Sequence, residues 1–280
     1  MQAYSILLAM VINNIVLVTR YSSVEAENIA KKVAELMRKR GANVYTVSPL
    51  SVENAKELDS ADELRRITLD LAMAIGGDGT TLRAVRWLSN AVPVFSIKLA
   101  GSRGILAETT PDQLEPALDS IFSNSFYLEK RMRIYASING LEFPPALNEI
   151  LINRINVTRT PTYTIRFAQD ELKQRMDGVI ISTPTGSTGH SFSLGGPVLH
   201  ENLNALVITP LSSVNKMPPL VVPNEPIVVR SNADSSIIVD GQSVYEIKSE
   251  QDFRIARYEH DAVFLRFKPK GLRQLAKLGF

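Results

Sequence analysis

An apolar run, Leu69-Asp70-Leu71-Ala72-Met73-Ala74-Ile75, leads into Gly76-Gly77-Asp78-Gly79-Thr80, and a helical pattern continues from Thr80 to Leu88. This sequence of strand, glycine turn and helix constrains the fold more than any other feature of the chain. Repeated βα units build a parallel sheet, and ligands of such sheets gather at the carboxyl ends of the strands. The glycines let the backbone take positive φ and let a ligand approach the chain closely. The following helix points N–H groups and a positive dipole end at the turn, which suits phosphate. Asp78, held at the tip, is a poor phosphate binder but a good acceptor for a hydroxyl proton, or a contact for a divalent metal. A structural alternative is a tight βα turn whose aspartate merely caps the helix, because short glycine motifs occur without ligands too.

The rest of the first half repeats the alternation. Ile15 to Thr19 reads as a buried strand, and Ser22 with Glu25 has capping-box spacing ahead of a helix from Val24 to Arg40 that Gly41 stops. Val44 to Val47 is a second strand, Glu53 to Arg66 a second helix, Val92 to Ile97 a strand, and Pro111 to Phe122 a further helix with proline in its first turn. After about residue 125 helical periodicity stops and short strands dominate. Tyr127 to Ile138 and Leu141 to Ile152 flank Asn139-Gly140, a two-residue hairpin signal. Strands are also expected at Tyr163–Phe167, Gly178–Ser182, Ala205–Thr209, Ile227–Arg230, Ile237–Val239, Phe253–Ala256 and Val263–Phe267. The fold class expected is therefore an α/β N-terminal domain with a parallel sheet (1–124) followed by a β-rich, mostly antiparallel C-terminal domain (125–268). A closing helix within 269–280, Leu272 to Leu278, is expected to pack back on the first domain.

Bulk properties exclude several classes. The 280 residues are 45% apolar and 21% charged with a net charge of +2, which makes no case for nucleic acid or a membrane surface. The cluster Arg38-Lys39-Arg40 sits where a helix C-terminus welcomes cations, and Lys130-Arg131-Met132-Arg133 reads as a solvated strand face in preference to the lining of an anionic cleft. There are no cysteines, so disulfides, thiolate catalysis and zinc–sulfur sites are excluded, which fits a cytoplasmic protein. Met1 to Val11 is apolar but short and is interrupted by Asn13-Asn14, so it reads as a lead into the first strand rather than a membrane span.

Three groups in the second half stand out. Asn148-Glu149 interrupts an apolar segment, and two water-preferring side chains placed there need partners. They are either solvated at a strand end or available to bind sugar hydroxyls. The run Thr183-Pro184-Thr185-Gly186-Ser187-Thr188-Gly189-His190-Ser191-Phe192-Ser193, with Gly195-Gly196-Pro197 behind it, is rich in hydroxyls and glycines. Flanking strands argue against a flexible linker, and these groups suit the polar edges of a nucleotide. Asp240-Gly241-Gln242 after Ile237-Ile238-Val239 reads by itself as a type I′ or II′ turn.

Together these motifs resemble the NAD kinase family, which phosphorylates NAD to NADP. The resemblance runs from about residue 70 to 245. The glycine-aspartate turn is shared with lipid kinases and the phosphofructokinase superfamily; the later motifs, in that order and spacing, are more specific. The resemblance implies that Asp78 is the general base for the adenosine-ribose 2′-hydroxyl, with Gly79 closing on the nucleotide. It implies that Asn148 and Glu149 bind sugar hydroxyls, that Asp177 takes a nicotinamide-side polar group, and that Arg175 and Arg159 supply positive charge. Thr188, Gly189, His190 and Ser193 would line the adenine and ribose pocket, and Ser212 and Gln242 would complete the nucleotide-binding set. It further implies ATP or polyphosphate as donor with Mg2+, and a homodimer or homotetramer; because no carboxylate cluster in the sequence identifies a metal site, the magnesium is expected to be held largely by phosphate oxygens and water.

The chain departs from the family where Gly189-His190 stands in place of Ala-Tyr, where Arg103 replaces an apolar residue in the loop 99–106, and where Ser212-Ser213-Val214-Asn215 lacks a histidine. Rival readings are a lipid or sugar kinase sharing the glycine turn, and a non-catalytic NAD(P)-binding sensor, which would need the pocket but not Asp78. A hydrolase built on Ser187 with His190 or His200 lacks the G-x-S-x-G elbow, because position 185 is Thr.

Overall fold

The structure is a computed structural model that describes residues 10–88, 92–102, 104–268 and 279. The start of the expected leader, Arg103 and the expected closing helix Leu272–Leu278 lie outside the described residues. The chain forms two compact units: one from the residues up to Lys130 together with the stretch that begins at Ala262, the other from Arg131 to Asp261.

The strands of the first unit are β1 (Asn14–Thr19), β2 (Asn43–Val47), β3 (Lys56–Leu58), β4 (Leu71–Gly76), β5 (Pro93–Lys98) and β6 (Tyr127–Arg131), and its helices are α1 (Val24–Lys39), α2 (Asp78–Trp87) and α3 (Leu114–Phe122). The second unit carries β7 (Ile134–Ile138), β8 (Leu141–Glu142), β9 (Glu149–Arg154), β10 (Thr162–Phe167), β11 (Asp170–Arg175), β12 (Gly178–Ser182), the short helix α4 (His190–Ser193), β13 (Ala205–Leu211), β14 (Leu220–Pro223), β15 (Ile227–Ser231), β16 (Ser235–Val239), β17 (Ser243–Ile247) and β18 (Asp252–Arg257). A last strand, β19 (Ala262–Arg266), returns to the first unit.

The first sheet has the order β3-β2-β1-β4-β5-β19-β6. Its pairs β1–β2, β1–β4, β4–β5, β2–β3 and β19–β5 are parallel. Strand order reverses between β1 and β4, so the carboxyl end of β4 lies at a topological switch point, the usual ligand crevice of such sheets. Helix α1 follows from its sequence: Ala26, Ala30, Val33, Ala34 and Met37 recur at helical spacing and are buried against the sheet. Its cap is Ser23, which accepts from the Ala26 N–H, rather than Ser22, whose φ of 53° places it outside the helix. Gly41 (φ 86°) ends it: the Gly41 and Ala42 N–H groups donate to the Arg38 and Met37 carbonyls, a Schellman closure.

Several expectations need correction. The helix expected over Glu53–Arg66 is instead the edge strand β3 and then a short 3-10 turn, Ala61–Arg66. Asp59 and Ser60 break the helical path, and Glu63 accepts from the N–H groups of both. Pro111–Phe122 is a 3-10 turn (Pro111–Gln113) followed by α3. Tyr127–Ile138 is not one strand: β6 joins the first sheet and β7 the second unit. The strand read at Val263–Phe267 belongs to the first sheet, not to the β-rich domain. Its five residues 262–266 are all buried, as expected for a strand covered on both faces.

The second unit contains two six-stranded sheets, ordered β11-β10-β15-β18-β7-β8 and β14-β13-β12-β9-β16-β17, paired antiparallel throughout the registers observed. Alternate residues from both sheets (Ile150, Ile152, Val179 and Ile181 from one, Tyr163, Ile165, Phe253 and Ile255 from the other) share a single core. The Asn139-Gly140 hairpin forms as expected, with φ of 51° and 83° and Ile138 opposite Leu141, although β8 is only two residues long. Among the described residues no helix is long and apolar enough to cross a membrane.

The basic cluster near residue 131 is not a solvated face: Arg131 and Arg133 are each 1% exposed. Arg131 Nη2 lies 2.9 Å from Glu201 Oε1, whereas Arg133 Nε donates to the His260 carbonyl and its guanidinium sits over the Tyr258 ring. Burial pushes the Arg133 guanidinium down to about 10. Breaking the Arg131 pair with Glu201→Gln leaves a buried cation and should cost about 3–5 kcal/mol, whereas Arg131→Met with Glu201→Leu should be near neutral. Urea denaturation of the three proteins checks this.

Candidate active site

In the first unit, β4 delivers Gly76 and Gly77, and α2 begins at Asp78. None of Gly76, Gly77 and Gly79 takes a positive φ, contrary to the sequence expectation. At Gly76 the requirement is space: a Cβ there would stand 2.3 Å from Thr80 Oγ1. The turn is closed by Gly77, whose carbonyl accepts from the Thr80 and Thr81 N–H groups at 3.0 and 3.2 Å. The N-cap is Gly77, so Asp78 does not cap the helix. Its Oδ1 instead accepts the Leu106 N–H at 3.0 Å, a donor 28 residues away on the loop after β5. The carboxylate thus stands half-buried at the positive end of α2, at the switch point of the sheet. Such a carboxylate is placed to take a proton, with backbone dipoles ready for an anion beside it.

In the second unit the center of the arrangement is a residue that sequence reading treated only as part of a turn. Asp240 and Gly241 have φ of 49° and 65°, and Gln242 N–H donates to the Val239 carbonyl, which makes the expected type I′ turn between β16 and β17. The Asp240 carboxylate, 6% exposed, accepts three consecutive backbone N–H groups: Leu147 (2.9 Å), Asn148 (2.7 Å) and Glu149 (3.2 Å). It thereby fixes the backbone that presents Asn148 and Glu149. Spacing in sequence gave no sign of this, because the partners lie over 90 positions apart.

The hydroxyl-rich run packs on the same segment. Thr183 N–H donates to the Asn148 carbonyl, Thr183 Oγ1 to the Leu147 carbonyl, and Ser182 Oγ to Asn148 O. Gly186 approaches so closely that a Cβ would lie 2.1 Å from Asn148 O. Most hydroxyls here are consumed internally: Ser187 Oγ donates to Pro184 O and accepts from Leu199 N–H, and Ser191 Oγ pairs with Thr209 Oγ1 at 2.7 Å. Thr188 differs. It is 4% exposed, and its Oγ1 has no partner among the described residues. A buried hydroxyl calls for a partner, which a ligand atom or an ordered water can supply. Beside it, Gly189 faces Glu149: a Cβ at 189 would be 3.2 Å from Glu149 Oε2, so the glycine leaves room over that carboxylate. His190 and Ser193, at the two ends of α4, are exposed.

The remaining candidates of this unit sit elsewhere on it. Asp177 precedes β12, and its Oδ1 is 3.1 Å from Arg154 Nε, a partner that the sequence reading missed. Arg175 at the end of β11, Arg159 in the β9–β10 loop, Ser212 after β13 (φ 48°) and Gln242 are exposed. The structure therefore brings Asn148 and Glu149, held by Asp240, close to the turn that carries Gly186, Thr188 and Gly189, and leaves Arg159 and Arg175 on exposed loop and strand ends.

An α/β unit with a mostly parallel sheet followed by an antiparallel β-rich unit is an architecture also found in solved kinases of nucleotide substrates. The NAD kinase from Archaeoglobus fulgidus, solved in complex with ATP, aligns with a TM-score of 0.74 at 25% identity over 95% of this chain and 97% of that one. Yeast NADH kinase shares the fold with a TM-score of 0.86 at 18% identity, over 96% of this chain and 88% of that one. The model of the ATP-NAD kinase N-terminal domain matches residues 15–126, and that of the ATP-NAD kinase C-terminal domain matches residues 137–267. NAD kinases from Thermococcus sibiricus and Methanocorpusculum labreanum are 30% and 31% identical, over 91% and 90% of this chain and 94% and 93% of theirs. The chain belongs to the NAD kinase family.

Asp240→Ala removes one carboxylate from two buried N–H groups, those of Leu147 and Glu149, and from the part-buried N–H of Asn148, and each orphaned buried donor costs about 1–3 kcal/mol. The expected result is a loss of several kcal/mol in urea denaturation together with faster amide exchange at Leu147, Asn148 and Glu149 than at the neighboring strand β12.

Proposed function

We propose that this enzyme transfers the γ-phosphoryl group of ATP to the adenosine-ribose 2′-hydroxyl of NAD, giving NADP, with Asp78 as the general base. The observation that carries the reading is the placement of Asp78, a carboxylate at the switch point and at the N-terminal end of α2, held by the Leu106 N–H and not used as a cap. Phosphoryl transfer asks little covalent chemistry of a protein; it needs positioning, charge neutralisation and an acceptor for the hydroxyl proton. Asp78 accepts the proton as the 2′-oxygen attacks, and the α2 dipole and nearby backbone favour the developing negative charge. The solved A. fulgidus relative contains ATP, which supports ATP as the donor.

Among the described residues no three His, Asp or Glu side chains converge on one point. A magnesium ion held chiefly by donor phosphate oxygens and water needs no such cluster. When bound there, magnesium would offset the negative charge of the phosphates.

For the second unit, the reading assigns Asn148 and Glu149 to sugar hydroxyls, Thr188 Oγ1 to a ligand acceptor or donor, and Gly189, His190 and Ser193 to the adenine and ribose side. Its support is the Asp240 anchor under Asn148–Glu149 and the partnerless Thr188 hydroxyl. Asp177, with Arg154 beside it, is assigned to the nicotinamide side, and Gly79, Arg159, Arg175, Ser212 and Gln242 to further nucleotide contacts. Family resemblance also carries the expectation of a homodimer or homotetramer in the cytoplasm; light scattering measures the subunit number.

The direct test incubates purified protein with NAD, magnesium and either ATP or polyphosphate and assays for NADP. NADP formation with ATP is expected; none with either donor would leave the sensor reading in place. Asp78→Asn should retain NAD binding by calorimetry and lose about 10²–10⁴-fold in kcat, the usual weight of a general base. Wild-type turnover in that variant would remove the base assignment.

A further inference from the structure

Arg266, the last residue of β19, is 0% exposed, yet no part of the reaction described above uses it. Its Nε donates to Glu129 Oε2 at 2.6 Å, and Nη1 reaches Glu108 Oε2 at 3.4 Å. The same Nη1 donates to the Leu106 carbonyl at 2.8 Å. The guanidinium also stacks over the Phe264 ring, 4.8 Å from its centroid. Glu108 closes the arrangement by accepting the Phe267 N–H on its other oxygen at 3.0 Å. Leu106, gripped through its carbonyl, is the residue whose N–H holds Asp78.

We propose that Arg266 is a positioning residue for phosphoryl transfer: through the Leu106 carbonyl it fixes the Leu106 N–H that aims the Asp78 carboxylate. The inference rests on the assignment of Asp78 as base.

The loop itself explains why an anchor is needed here. Downstream of Leu106 it is tied to β5, where the Glu108 N–H donates to Ser96 O and the Lys98 N–H to Thr109 O. Upstream, Gly101 and Gly104 take positive φ of 70° and 54°, conformations that glycine adopts with little cost and from which it departs easily. Leu106 lies between these regions, in a turn closed by the Ala107 N–H on the Gly104 carbonyl at 3.2 Å, and Arg266 is the side chain that grips its carbonyl. Arg266 presents a planar fork that can engage the carbonyl and two carboxylates together; the point charge of a lysine cannot. A buried ion cluster is by itself weak evidence for stability, since apolar replacements often serve as well. A positioning role accounts for its place under the loop that holds the base.

The test compares Arg266→Lys with the triple variant Arg266→Met, Glu108→Gln, Glu129→Gln, which removes the buried charges together and leaves no orphaned ion if the single variant fails to fold. Circular dichroism and thermal melts establish which proteins are folded. In a folded variant, kcat is expected to fall about 10- to 100-fold, the scale of an ångström-sized misplacement of a reacting group, with KM for NAD and for ATP each within about twofold of wild type. A folded variant with wild-type kcat, or one whose loss falls on KM alone, overturns the proposal. Asp78→Asn assayed in parallel separates the two claims. If it is inactive while the Arg266 variants turn over normally, the positioning role fails and the base stands. If it is fully active, the base assignment fails and the proposal goes with it.

Discussion

A single backbone donor, the Leu106 N–H, decides what the Asp78 carboxylate can do. An aspartate that begins a helix has an easy local alternative, which is to turn back and satisfy the free N–H groups of its own first turn. Here Gly77 takes the cap position, and the carboxylate reaches to the loop that follows β5. The side chain is thereby held at the carboxyl edge of the sheet, where the strand order reverses and helix α2 ends its dipole. Geometry and charge at that point suit a group that must accept a proton beside an anion.

The same device recurs in the second unit with the roles exchanged. There a buried carboxylate, Asp240, gathers three successive N–H groups and so rigidifies the backbone of Asn148–Glu149. In the first unit a backbone N–H holds a carboxylate; in the second a carboxylate holds the backbone. Both unite segments far apart in sequence, and at the buried Asp240 a charge-assisted hydrogen bond is stronger than in water. Around Asp240 the hydroxyls of Ser182, Thr183 and Ser187 bond to backbone carbonyls and that of Ser191 to Thr209. They act as structure first, and Thr188 is the exception whose oxygen is left for something else.

Much of the fold was legible in the sequence because period and punctuation are local. The α1 stripe from Ala26 to Met37, the Gly41 stop, and the Asn139-Gly140 and Asp240-Gly241 turns each follow from residues within a few positions of one another. The readings that failed were those in which local preference competed with distant partners. Lys56–Leu58 has helix-forming residues but pairs with β2 at the sheet edge. Arg131 and Arg133 look solvated in the chain and are buried because Glu201, His260 and Tyr258 come to meet them. Val263–Phe267 reads as one more short strand, and only pairing with β5 assigns it to the first sheet.

The candidate site divides along the same line. Residue types and their order named Asp78, Asn148, Glu149 and Thr188, because a glycine turn, a polar break in an apolar segment and a hydroxyl run are visible in one dimension. What holds those groups is not visible there: Leu106 for Asp78, Arg266 for Leu106, Asp240 for Asn148 and Glu149, and Arg154 for Asp177. The sequence by itself determined the alternation of elements and the chemistry carried at each turn, since both depend on backbone preferences and hydrophobic period. The tertiary structure alone decided which carboxylates are held, by which donors and in which direction, because those contacts close loops of tens to more than a hundred residues and no local propensity encodes them.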